Sequence, residues 1–191
     1  MLPNAPEPGP GLLERLTATR WRVAWGWVGA ALLFVLARPL PGSILAGLPL
    51  VVLGEGVRIL ANGSLVKDKA LTTWGIYAHL RHPLYVGSAL IGAGFLVMAR
   101  SLILLAVMLV LFLLLYRRTI RREEEKMEQL FGDDYRVWAA RTQRFLPRRW
   151  APGEIAEHFT FRRAWVNREY QALLGAIGIT VVLYLKYLWL G

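Results

Sequence analysis

The 191-residue chain contains no cysteine, which excludes disulfides, thiolate metal centres and a cysteine nucleophile while leaving the compartment open. Acidic residues are scarce: 13 Asp and Glu stand against 23 Lys and Arg, a formal net charge of +10. Such an excess suits nucleic acid, an anionic membrane surface, or orientation in a bilayer. Charge of either sign is sparse, at 19% of residues against 55% hydrophobic, and a soluble domain of this length has too little interior to enclose that much apolar side chain. The apolar residues also come in long blocks, which decides for an integral membrane protein and against a nucleic-acid partner. The proline-rich start, MLPNAPEPGPG, lacks the basic opening of a secretory signal. Residues 1–20 therefore read as a disordered tail before a retained first helix.

Five apolar segments stand out: Trp21–Ala37, Ser43–Ala61, Leu84–Ala99, Ser101–Tyr116 and Ala172–Leu190. The third and fourth would each span about 24 Å as helices, against a hydrocarbon core of about 30 Å. Joined as one helix they would run about 50 Å and overshoot the bilayer, so a tight hairpin turning at Arg100–Ser101 is expected. Placing the N-terminus in the cytoplasm gathers 19 of the 23 basic residues on that side, Arg22 at the start of the first segment included, leaving Arg38, Arg58, Arg100 and Lys186 elsewhere. The C-terminus then lies outside. The expected fold is an all-α, multi-pass membrane protein of about five transmembrane helices. Residues 21–64 form two N-terminal spans, and 65–150 a core with the hairpin and a cytoplasmic pocket built from helix ends and the 117–150 segment. Residues 151–191 form an amphipathic linker and a last span. Small residues four apart, Gly26/Ala30 and Ser88/Gly92, are expected to let helices approach closely.

Nearly all candidate chemistry falls in the two cytoplasmic segments. The first, 62–83, reads NGSLVKDKALTTWGIYAHLRHP, with Pro83 suited to the first turn of the third span. It leads into Gly75-Ile-Tyr77-(x3)-Arg81-His82-Pro83-Leu-Tyr85-Val-Gly87, which places a cation, an imidazole and two phenols at the membrane boundary. Interfacial anchoring accounts for such residues on composition alone. His79 and His82 lack a good third ligand nearby, so no metal site is expected. In the second segment Glu123-Glu124-Glu125 follows four arginines, with Arg121 and Glu125 spaced for pairing on a solvated helix. Gly132 is expected to stop that helix, and a short one, 134–142, to follow until Pro147. Glu55 and Arg58 lie within the second span on one face, either as an intrahelical neutralising pair or as functional groups lining a lateral substrate entrance.

The order Arg81-His82-Pro83, hairpin, Glu123-Glu124, then Phe131-Gly132-(x2)-Tyr135-(x2)-Trp138-(x2)-Arg141-(x4)-Leu146-Pro147 resembles the isoprenylcysteine carboxyl methyltransferase family of membrane enzymes, over about residues 65 to 149. The chain departs from that pattern at Trp138, where the family usually has Tyr, and at Arg141-Thr142-Gln143, where Arg-Val-Pro is usual. The resemblance implies a cytoplasmic pocket for S-adenosylmethionine, with S-adenosylhomocysteine as product. It places Tyr77, His82, Tyr85, Tyr135 and Arg141 around the cofactor, and Arg81, Glu123 and Glu124 nearest the transferred methyl. Glu55 and Arg58 are the substrate-side candidates. Methyl transfer from a sulfonium is an in-line displacement that neutralises charge, so the site must align and desolvate its nucleophile. A carboxylate acceptor needs a fork such as Arg81, and an amine acceptor needs a base such as Glu123 or Glu124. The implied activity is carboxyl O-methylation of a lipophilic, isoprenylcysteine-like acceptor drawn from the membrane. Phospholipid or amine N-methylation, an NADPH-dependent sterol-reductase-like activity and a non-enzymatic scaffold are the alternatives.

Overall fold

A computed structural model describes residues 29, 31–67, 69–148 and 151–190. The expected tail and most of the first apolar segment, with Gly26 and Ala30, lie outside the described residues; residues 31–36 are helical. Helix α1 spans Pro41–Ser64. A 3-10 turn at Gly75–Ala78 follows, then α2, Pro83–Ala99, and α3, Leu102–Arg141. Two short helices, α4 at Pro152–Ile155 and α5 at Phe161–Val166, precede α6, Glu169–Leu190. The described residues are all-helical apart from a single bridge between Leu80 and Gln143.

Two of the described helices, α1 and α6, are long and apolar enough to cross a membrane. At 1.5 Å per residue, their 24 and 22 residues extend about 36 and 33 Å. Helix α2 is shorter, at 17 residues. Leu45, Val52 and Leu53 of α1, Leu102, Ile103 and Leu109 of α3, and Leu174 and Leu185 of α6 are exposed apolar side chains, as befits a lipid-facing surface.

The hairpin forms at the expected place. Pro83 occupies the first turn of α2, and Arg100 ends that helix in the left-handed conformation (φ 51°), its N–H bonded to the Leu96 carbonyl. Ser101 then caps α3 by accepting from the Leu104 N–H at 3.3 Å. Helices α1 and α2 run antiparallel, and two glycine pairs set their contact, Gly47 against Gly94 and Gly54 against Gly87. A Cβ on Gly54 would lie 2.6 Å from the Gly87 carbonyl, and one on Gly87 would lie 2.7 Å from that of Gly54. These glycines stand seven apart on each helix. The expected Ser88/Gly92 contact is not used: a Cβ on Gly92 would meet nothing within 4 Å, and Ser88 instead accepts a hydrogen bond from Arg58.

The first run of α3 ends at Gly132, as the sequence reading had it, and the expected short helix follows up to Arg141. Gly132 takes φ 54° and ψ −126°, a conformation open chiefly to glycine, and the chain turns there and resumes helix at once up to Arg141. The kink redirects 133–141 toward the 75–82 segment. Beyond it, Arg81 N–H donates to the Gln143 carbonyl at 2.7 Å and His82 N–H to that of Arg144 at 3.2 Å. Ala61, Ile76, Tyr77 and Ile155 form a buried cluster beneath this junction, with Leu84 and Trp138 packed on it.

Candidate active site

Glu124 is the centre of the charged site. Arg81 donates through Nη1 to its Oε1 at 3.0 Å, and His82 Nε2 lies 3.1 Å from the same oxygen. Arg144 grips both oxygens, Nε to Oε1 at 2.9 Å and Nη2 to Oε2 at 2.7 Å, the fork geometry that suits a planar guanidinium. The Glu124 side chain is only 14% exposed. Burial by itself raises its carboxyl pKa, but the hydrogen bonds from Arg144 and His82 and the charges of Arg81 and Arg144 outweigh burial and hold it below its ordinary value. Glu123, one residue earlier, is half exposed, with its Oε2 4.0 Å from His82 Nδ1. Helix geometry thus separates two adjacent carboxylates into a bound tie and a freer group.

The lowered Glu124 value has a definite sign. The carboxylate's contribution to stability is complete above its ordinary value of 4.5 and disappears as pH falls through the lower folded value. Melting curves of wild type and Glu124→Gln between pH 7 and 3 should therefore converge on acidification. A difference that stays constant across that range would contradict the assignment.

Two phenols flank the cluster. Tyr135 sits just past the kink, its pKa raised by burial first and by the Glu124 charge second, with a hydrogen bond to Arg81 opposing them. Tyr77 lies within the buried cluster, its pKa raised by burial and then by the negative charge of Glu123. Both stay protonated at neutral pH and can serve as donors. The His82 ring lies 5.6 Å from that of Tyr85 and 6.2 Å from that of Phe145.

Beside the cluster, a cleft of about 630 Å³ is lined by Leu71, Thr73, Phe131, Asp134, Trp138 and Arg141, among others. Arg141 is exposed here and stands apart from the Glu124 contacts. Arg81 Nε and Trp138 Nε1 are buried with no hydrogen-bond partner, two donors aimed where no described side chain accepts. The structure brings together Arg81, His82, Glu123, Glu124 and Tyr135. It adds Arg144, which sequence reasoning missed. The available signal was its position three residues past Arg141 and ahead of Pro147, on the segment that turns back toward His82.

Glu55 and Arg58 do not form the intrahelical pair. Arg58 turns to α6, donating through Nε and Nη2 to the two carboxylate oxygens of Glu169 at 2.8 and 3.0 Å, and through Nη1 to Ser88 Oγ at 2.7 Å. Asn62 also donates to Glu169. Glu55 is buried and neither of its carboxylate oxygens has a hydrogen-bond partner. The two residues therefore have different surroundings, one fully engaged and the other not. Among the described residues, no cluster of three His, Asp or Glu has metal-binding geometry.

A helical membrane protein with a charged site at its helix ends is the class that this arrangement defines. Residues 43–134, from α1 to just past the α3 kink, match the phospholipid methyltransferase family model, which belongs to a group of membrane methyltransferases that includes the isoprenylcysteine carboxyl methyltransferases. The chain is similar to the cobalt-zinc-cadmium resistance protein CzcN of Cupriavidus metallidurans, at 35% identity over 136 residues, 67% of this chain and 62% of that protein. It is also similar to the nickel-cobalt-cadmium resistance protein NccN of Alcaligenes xylosoxydans xylosoxydans, at 38% identity over 84 residues, 43% of this chain and 38% of that protein. The chain thus spans less than two thirds of the length of either relative. No solved structure matches it.

Proposed function

We propose that the protein is a multi-pass membrane methyltransferase that uses S-adenosylmethionine at a cytoplasmic site and methylates a lipophilic acceptor, with carboxyl O-methylation of an isoprenylcysteine-like group as the reaction. The observation that carries this reading is the convergence of Arg81, His82 and Arg144 on Glu124, built on a methyltransferase-type segment. The 19-to-4 distribution of basic residues supports the cytoplasmic placement and a five-span topology.

The residues present suit the cofactor's chemistry. Two guanidiniums converge on the one mostly buried carboxylate of Glu124, and Arg81 Nε, a donor without a partner, suits an anionic carboxylate. Glu123 supplies a half-exposed negative charge for a cationic group. The aromatic wall of Phe131 and Trp138 along the cleft suits a purine ring. S-adenosylmethionine, when bound, supplies an electrophilic methyl on a sulfonium.

The chain's own part is to hold and dry the reacting groups. Arg81 is held by Glu124 and Tyr135, so its guanidinium keeps one orientation and can position an acceptor carboxylate, which requires no base. Glu124 is committed to Arg81, His82 and Arg144 and is unsuited to proton abstraction. Glu123, beside His82 Nδ1, is the one of the pair placed to take a proton, and this observation is what sustains N-methylation as the second reading.

Calorimetry of detergent-purified protein with S-adenosylhomocysteine and, separately, NADPH tests the cofactor class. Binding of the first alone is expected. His82→Ala should weaken it roughly tenfold by removing one contact to Glu124 and the ring beside Tyr85 and Phe145. Binding of NADPH alone would overturn the reading in favour of a reductase.

A further inference from the structure

Helix α5 carries an outward face that the methyltransferase site does not use. Its sequence, Phe161-Arg-Arg-Ala-Trp-Val166, opens on Thr160, whose hydroxyl accepts from the Arg163 N–H at 3.3 Å. Ala164 is buried, and the backbone around the helix is fastened to the end of α1: Thr160 N–H donates to the Gly63 carbonyl, and Asn167 Nδ2 to those of Asn62 and Leu65. Phe159 lies directly over Gly63. With this inner side docked, Phe161, Trp165 and Val166 are left 78%, 68% and 69% exposed. Arg162 and Arg168 are exposed among them, and neither pairs with a carboxylate among the described residues, whereas Arg163 donates to the His158 carbonyl. Trp165 stacks on Tyr170, in the first turn of α6, with ring centroids 4.7 Å apart.

Three large apolar side chains held rigidly outward, interleaved with two exposed arginines and adjoining the start of a membrane-length helix, match the chemistry of the headgroup layer. There aromatic rings sit at the acyl boundary and guanidiniums reach lipid phosphate. We propose that α5 is an interfacial foot that lies in the bilayer surface and binds anionic phospholipid through Arg162 and Arg168. The cationic pair selects anionic over zwitterionic lipid. Because the foot is bonded to residues 62–65 of α1, it fixes the height of the site-bearing helix ends relative to the membrane.

The absence of cysteine makes a direct test simple. The full chain is placed in nanodiscs of phosphatidylcholine and phosphatidylglycerol, one chain per disc. A spin label is introduced at Phe161→Cys, at Val166→Cys or, as a control, at Glu157→Cys. The first two labels should be more accessible to oxygen than to a polar nickel chelate, and the control the reverse. Labels at 161 and 166 that favour nickel would place the face in water and overturn the proposal. Labels shielded from both reagents would mean that protein covers the face, and would also overturn it. In mixed lipid, the protein should enrich phosphatidylglycerol around itself, and the Arg162→Gln/Arg168→Gln double variant should lose at least half of that enrichment. Equal enrichment in both proteins would refute recognition by these arginines. Should the double variant fail to fold, the labelled chains still decide the matter.

Discussion

Glu124→Gln should lower methyl-transfer turnover by about two orders of magnitude, while Glu123→Gln should leave it within about tenfold for a carboxylate acceptor. The difference follows from what each carboxylate touches. Glu124 is the common acceptor for Arg81, His82 and Arg144, and the neutral amide cannot balance two guanidiniums or accept through both heteroatoms. Removing one partner from a mostly buried ionic network costs about 3 kcal/mol, which expressed as barrier is roughly a hundredfold in rate. Arg81 would lose its fixed direction and the 142–145 segment its tie to α3. Steady-state rates of both variants, with folding checked by circular dichroism, measure this. Equal losses in the two variants would contradict the division of roles.

Glu169→Ala should destabilise the helix bundle by about 3 kcal/mol or more, a fall in melting temperature of about 10 °C. Glu169 is 4% exposed and neutralises Arg58, and Asn62 bonds to it as well. Alanine would leave the guanidinium with Ser88 as its remaining hydrogen-bond partner, in the heart of the α1, α2 and α6 contact. The charge-swapped double variant, Arg58→Glu with Glu169→Arg, should recover part of the loss, and a double-mutant cycle in detergent gives the coupling. A fall of less than about 2 °C in Glu169→Ala would show that the pair contributes nothing to holding α6.

The hairpin was legible in the sequence because length alone forbids a single helix from Leu84 to Tyr116, and the turn at Arg100–Ser101 is where the structure has it. The boundary cluster was legible as well, since Arg81, His82 and the paired glutamates combine unlike residue types in a fixed order. Other features depend on register that no local pattern carries. The pairing of Arg58 with Glu169 joins residues 111 apart, so proximity in sequence pointed to Glu55 instead. The Gly47/Gly54 and Gly87/Gly94 contacts need both helices and their alignment, and the more familiar four-residue spacing at Ser88/Gly92 drew attention away from them. By contrast, Gly132 was legible as a break, because a glycine closing a charged helical run takes a positive φ at no steric cost, and the short helix expected beyond it runs to Arg141. Arg144 reaches Glu124 only because two backbone hydrogen bonds lay 143–144 against 81–82. An isolated bridge of that kind has no periodicity to read.

Transfer of an isotope-labelled methyl group from S-adenosylmethionine to membrane-extracted lipid, by purified wild type and by Glu124→Gln, addresses the central claim most directly. The label should appear on a lipophilic product with wild type, as a base-labile ester for a carboxylate acceptor or a base-stable amine for the second reading, and fall about a hundredfold with the variant. No transfer by wild-type protein that binds S-adenosylhomocysteine, or equal transfer by both proteins, would contradict a methyltransferase centred on Glu124.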